Sequence, residues 1–196
     1  MRSLRLICGI LAMSAFSLAA HASAITFTET VTGSGFLNGS AFSSQLITIT
    51  GSGDTSAITN PFAGSYDLVL TSGTLQIGAA APVTFTNGLT AFSFANAFRA
   101  GLADSLSQNT ILYTLASDLG GDDLSTPISV TGTPGINSGI QFATSGGTFI
   151  LTSDTGNSTF TATPGAATPE PSSLLLLATG LAGLATAAHR RKLHLT

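Results

Sequence analysis

Between Ile25 and Thr168 the sequence has no cysteine, histidine, lysine, methionine or tryptophan. The chain's single cysteine is Cys8, so disulfides and thiolate chemistry are absent from this stretch. Without His, Cys or Lys, no Ser-His-Asp, Cys-His or Ser-Lys nucleophile can be assembled. Positive charge is equally scarce: Arg99 stands alone against eight acids, a formal charge of −7 for the stretch. Such a surface repels nucleic acid and anionic polysaccharide, and no nucleic-acid partner is expected. No cofactor, metal site or catalytic residue is assigned.

The positive charge that exists is concentrated at the two ends. Arg2 and Arg5 precede an apolar run from Leu6 to Ala20, and Ala22-Ser23-Ala24 supplies small residues at the −3 and −1 positions. Residues 1–24 therefore read as a secretory signal peptide cut after Ala24, with signal peptidase and the secretion machinery as partners. Cys8 lies at the start of the apolar run, where a lipoprotein cysteine would follow it. At the other end Pro169-Glu170-Pro171 closes a linker over 164–171. Its prolines fix φ and hold Glu170 in extended, readable backbone. An uncharged run follows, about 17 residues from Ser172 to Ala188. At 1.5 Å per residue that is roughly 25 Å, the short limit for a membrane-spanning helix, expected over 172–189. Arg190, Arg191 and Lys192 begin a basic tail over 190–196, a membrane stop held on the cytoplasmic side.

Motif, apolar run and basic cluster, in that order, resemble the PEP-CTERM sorting signal, with the match running from about Thr168 to Lys192. The resemblance implies that exosortase, a membrane-embedded cysteine protease or transpeptidase, recognises Pro169-Glu170-Pro171 and removes the tail during export. The chain would be its substrate, anchored in the membrane only transiently. Tails of this kind are at times labelled ice-binding protein C-terminal domain, which describes a sorting element and no affinity for ice. The displayed part, at Gly51–Thr55 and Phe142–Ala162, also resembles other PEP-CTERM proteins, a diffuse likeness from which no site is carried over.

Residues 25–163 alternate apolar and polar side chains, the pattern of half-buried strands. Ile25–Thr32 places Ile25, Phe27, Glu29 and Val31 on one face and threonines on the other, and Gly33-Ser34-Gly35 reads as its end. Leu46–Thr50 repeats the device up to Gly51-Ser52-Gly53-Asp54. Tyr66–Thr71 is expected to turn at Ser72-Gly73 into Thr74–Ile77, and Asn87-Gly88 to join Pro82–Thr86 to Ala91–Ala95, both as hairpins. Phe94, Phe98, Leu102 and Leu106 recur every four residues and predict a short helix over Ala97–Leu106, with Arg99 on its polar face near Asp104. Strand character returns at Thr110–Leu115, Ile128–Thr131, Ile140–Thr144, Thr148–Ser153 and Ser158–Thr163. The expected fold is all-β, an antiparallel β-sandwich or jelly-roll-like domain with one short helix.

Carboxylate pairs for glycoside chemistry are available as Asp118 with Asp122 or Asp123, and as Asp54 with Asp67. Against that use, there is no Trp platform, and Asp favours turns on its own account. Asp118–Asp123 also offers several oxygen ligands for calcium, with a spacing unlike an EF-hand. Thr-x-Thr pairs such as Thr26/Thr28, Thr48/Thr50 and Thr159/Thr161 evoke a flat ice-binding array, but period-2 alternation in Thr-rich strands produces them unaided. The hydroxyl-rich face is equally open to O-linked sugar. The reading is an exported, non-enzymatic surface or extracellular-matrix protein. A carbohydrate-binding or calcium-dependent adhesive module is the alternative, with extracellular polysaccharide as partner, and a carboxylate-based hydrolase stands third.

Overall fold

The computed structural model of the chain describes residues 23–165 together with Gly180. Compactness divides the chain after Gly165, and the fold described is that of the first unit. Strands β1 (Ala24–Leu37) and β2 (Ser40–Asp54) form a long antiparallel hairpin. Its turn is Asn38-Gly39, with φ of 50° and 78°, the paired positive values that a type I′ hairpin turn demands. Along β1 the side chains alternate strictly: Ile25, Phe27, Glu29 and Val31 are buried, and the threonines between them half-exposed.

Ten further strands follow. They are β3 (Thr59–Phe62), β4 (Ser65–Val69), β5 (Ser72–Ile77), β6 (Val83–Thr84) and β7 (Leu89–Phe94), then β8 (Arg99–Asp104), β9 (Thr110–Leu115), β10 (Ile128–Ile136), β11 (Gln141–Thr144) and β12 (Gly147–Pro164). They hydrogen-bond in the order β3-β4-β7-β8-β9-β10-β12-β1-β2-β5-β6, with β11 on β12, and every pairing is antiparallel.

Two crossings curl this sheet around one core. Strand β10 pairs with β12 through Ile128–Gly132 and with β9 through Thr133–Ile136. Gly132 marks the change of partner, where a Cβ would drive into the Leu115 carbonyl. At Leu70–Thr71 the chain passes between the two ends of the strand order: Leu70 N–H donates to Leu89 O and Thr71 N–H to Ser52 O, both at 2.8 Å. Phe27, Ile47, Leu68, Leu102, Phe149 and Phe160 fill the interior, each side chain worth roughly 1.5–3 kcal/mol of transfer free energy.

The all-β, antiparallel expectation holds, and several local expectations are corrected. There is no helix over Ala97–Leu106. Phe98 takes a left-handed conformation at a tight turn, and Arg99–Asp104 is strand β8, paired on both edges. The four-residue spacing was accidental, since Leu102 is core while Leu106 is 77 % exposed in the next turn. Two ladders of hydrogen bonds outweigh the local pattern. Arg99 and Asp104 consequently sit at opposite ends of one strand.

Neither expected hairpin forms. β4 pairs with β7 and β5 with β2, while β6 pairs with β5 and β7 with β4 and β8. The glycines at 33, 35, 51 and 53 do not end strands. They lie within β1 and β2 because side chains and carbonyls press onto them: a Cβ on Gly35 would meet Ile150 O, and one on Gly53 the Leu68 side chain. Thr148–Ser153 and Ser158–Thr163 are one strand, β12, kept on β1 by bulges between Thr30 and Thr32 and between Ser34 and Gly35.

Candidate functional site

Strand β7 places Leu89 and Ala91 in the core, and Ser93 donates from Oγ to the carbonyl of Asp122 inside the fold at 2.9 Å. Thr90, Phe92 and Phe94 therefore project from the opposite, outer face. There they line a cavity of about 220 Å³ with Ala103 of β8. Its polar lining comes from Asp67 of β4, Thr110 of β9 and Gln108 of the β8–β9 turn. Desolvation raises the Asp67 carboxyl above its ordinary pKa, and no hydrogen bond to it among the described residues counteracts that.

An aromatic ribbon borders this cavity. The Phe92 and Phe94 rings are 5.3 Å apart, and Phe62 of β3 stacks on Phe94 at 6.1 Å. Arg99 lays its Cζ 4.6 Å from the centre of Phe94 and 5.5 Å from that of Tyr113. These contacts are cation–π in character, and the Arg99 Nε is buried with no hydrogen-bond partner among the described residues. Tyr113 in turn lies over Gly135 of β10, where any Cβ would strike its ring. The ribbon thus crosses several strands, each residue on the outward side of its own.

Asp104 organises the turn that carries Gln108. Its carboxylate accepts from Ser107 N–H at 2.7 Å, Ser107 Oγ at 2.9 Å, Asn87 Nδ2 at 3.0 Å and Leu106 N–H at 3.2 Å. Burial pushes this carboxyl up, but the four bonds together outweigh it and hold the pKa below the usual value. Gln108, at φ 57°, donates from Nε2 to Ser105 O at 2.7 Å, its one side-chain hydrogen bond among the described residues.

The remaining acids lie outside this cavity. Asp54 accepts from Ser56 N–H at an exposed turn and is not among the residues that line the cavity with Asp67. Asp118 takes the hydroxyl of Ser117, and Asp123 the N–H and hydroxyl of Ser125. Asp122 turns inward, where burial, offset in part by Leu124 N–H, raises its pKa. Among the described residues no group of three His, Cys, Asp or Glu is gathered in a way that could hold a metal ion.

Sequence reasoning missed two features. Glu29 is fully buried, with Oε1 3.1 Å from Thr114 Oγ1, which lies 2.7 Å from Ser158 Oγ, while Oε2 has no partner. An acid on the apolar side of a strict alternation was the available signal. The groove was missed because its aromatics lie on the polar side of β7 and its Asp on another strand.

Of the residues assigned to sorting and processing, Ala24 lies in β1, where its carbonyl accepts from Gly165 N–H at 2.6 Å. Ala22, Pro169, Glu170, Pro171, Arg190, Arg191, Lys192 and, Gly180 apart, the expected span over 172–189 lie outside the described residues. No helix among the described residues is long and apolar enough to cross a membrane.

An all-β unit is thus followed by a separate terminal segment. Residues 167–192 of that segment match the PEP-CTERM protein-sorting motif. The chain carries this motif, which marks exosortase-dependent sorting of an exported, transiently membrane-anchored protein with exosortase as processing partner. Comparison with curated proteins and with solved structures gave no match.

Proposed function

We propose that the chain is a non-enzymatic surface or extracellular-matrix protein. Its signal peptide is removed after Ala24, and its tail is cut by exosortase at Pro169-Glu170-Pro171. Arg190, Arg191 and Lys192 stop transfer on the cytoplasmic side until that cut is made. The observation that carries the reading is the sorting motif over 167–192. In support, the exported stretch has no His, Cys or Lys to activate a nucleophile. Asp54, Asp104, Asp118 and Asp123 accept hydrogen bonds from their own turns, and Glu29 lies in the core. The curled sheet reads as a β-sandwich, with inward residues of β1, β2 and β12 packed onto those of β8 and β9.

Ala24 and Gly165 are hydrogen-bonded neighbours, so the described unit begins and ends side by side. The test replaces Pro169, Glu170 and Pro171 by alanine and follows the C-terminus of the exported protein by mass spectrometry. Wild type should lose Leu174–Lys192 and the triple variant keep it. A wild-type protein that retains this segment would refute exosortase processing and leave a plain anchor.

A further inference from the structure

We infer that the outer-face cavity between β4, β7, β8 and β9 is a subsite for one neutral sugar ring of a polysaccharide, with Phe92 and Phe94 as its aromatic wall and Asp67 and Gln108 as its hydroxyl partners. This rests on the proposed role as a displayed matrix protein and gives that role a ligand class.

Size is the first argument. At about 220 Å³ the cavity falls below the roughly 300 Å³ at which sites for drug-sized ligands begin, and it suits a single ring. Chemistry is the second. A pyranose has apolar C–H faces and a rim of hydroxyls, and the cavity answers both with aromatic rings on one side and Asp67, Thr90, Gln108 and Thr110 on the other. The Asp67 carboxylate is partly desolvated and accepts no hydrogen bond among the described residues. Hydroxyl donors from a sugar would return the hydrogen bonds it has lost, and bonds to a charged acceptor are the stronger kind.

Charge narrows the class. The stretch from Ile25 to Thr168 has a formal charge of −7, and its one cation, Arg99, is spread over the faces of Phe94 and Tyr113. An anionic sugar would meet Asp67 with no counter-charge free beside it, and the rest of the polar lining, Thr90, Gln108 and Thr110, is uncharged and matched to hydroxyls, so the ligand is neutral. Phe62, stacked on Phe94 and 60 % exposed, extends the aromatic surface beyond the cavity. A polymer can therefore continue past the seated ring.

The test is affinity electrophoresis of the full chain in an alkylphosphocholine detergent, whose head group has no sugar to compete. The gels contain a neutral α-glucan, a neutral β-glucan, a galactomannan, alginate or chitosan. Wild type should be retarded by at least one of the three neutral polymers. Asp67→Asn and Phe94→Leu should each weaken that retardation about tenfold, and Phe36→Ala on β1 should not. Thermal melts of Asp67→Asn, a surface change of one atom, separate lost binding from lost folding. Retardation by alginate or chitosan alone, by no polymer, or equally for folded Asp67→Asn and wild type overturns the inference. If no sugar binds while the tail is processed, the groove inference falls alone. If sugar binds while the tail is retained, the sorting proposal falls alone.

Discussion

Glu29 Oε1 and Thr114 Oγ1 lie 3.1 Å apart and join β1 to β9 through the interior of the curl. Oε2 faces the core with no partner. An ionised carboxylate there would carry a large desolvation cost, whereas a neutral acid leaves only one polar group short of a bond. Burial accordingly drives the Glu29 pKa well above its ordinary value, against the weaker pull of Thr114.

The sign of the pH dependence follows. Glu29 keeps its proton in the folded state at pH values where the unfolded chain, with a pKa of about 4.3, has lost it. Its contribution is fully present below that pH and is lost as pH rises towards the folded pKa. Asp67 and Asp122, also raised by burial, act in the same direction. Glu29→Gln keeps the shape without the ionisation. It should flatten the fall of Tm above pH 5 and raise Tm at pH 8 by roughly 3 °C or more. Parallel Tm–pH curves for the two proteins would mean that Glu29 does not hold its proton.

Ala24 O and Ser23 O accept from Gly165 N–H and Thr55 N–H at 2.6 and 3.0 Å. Cleavage after Ala24 removes both acceptors and leaves Ile25 opposite Gly53 and Pro164 as the first paired position. Signal removal should therefore release Gly165 and lengthen the free linker ahead of the sorting motif. Amide exchange by NMR should show Thr55 and Gly165 protected in a form that keeps Ser23 and Ala24, and at least about tenfold faster in one beginning at Ile25, as expected when a hydrogen bond of about 1.4 kcal/mol is lost. Equal exchange would show that cleavage leaves the linker as it was.

Alternation was legible wherever one face of a strand is core: Ile25–Thr32 and Ile47–Thr50 fall as their patterns indicate. Partner choice was not. The sequence holds Asn38-Gly39 and Asn87-Gly88, and both glycines have positive φ. Only Asn38-Gly39 closes a hairpin, because Leu70–Thr71 has already carried β5 and β6 to the other end of the strand order. A dipeptide reports a local turn and cannot report that crossing. The groove was hidden for the same reason, since Asp67 and Phe92 become neighbours only through the β4–β7 register.

Glycines separate backbone strain from lack of space. Gly39 has φ 78° and nothing within 4 Å of an added Cβ, so Gly39→Ala should cost about 1 kcal/mol, the left-handed penalty alone. Gly132 has no such φ, yet its Cβ would enter the Leu115 carbonyl where β10 changes partner. Gly132→Ala should cost about 3 kcal/mol, the upper end for overpacking. Urea midpoints at equal m-value give the comparison, and a reversed order would place the strain in the hairpin.

Ser129, Thr161, Thr28, Thr50, Thr74 and Thr84 stand opposite one another in register across β10, β12, β1, β2, β5 and β6. Such pairs are worth roughly 0.2–1 kcal/mol each. Thr28 and Thr50 bring their hydroxyls to 3.4 Å, and Thr161 donates to the Thr28 carbonyl at 3.2 Å. The threonine spacing thus becomes a ladder on the outer side of a sheet whose inner side is core. β-branched shape favours the strand, and the hydroxyls keep this broad, uncharged face wetted. Replacing Thr28, Thr50 and Thr161 together by valine preserves the branching and removes only the hydroxyls. Stability should change by less than about 2 kcal/mol, while the apolar patch should make the exported protein self-associate at micromolar concentration in size-exclusion chromatography. If the triple variant stays monomeric, the ladder's hydroxyls are not needed to keep the sheet soluble, and stabilising the strand pairs is their whole contribution.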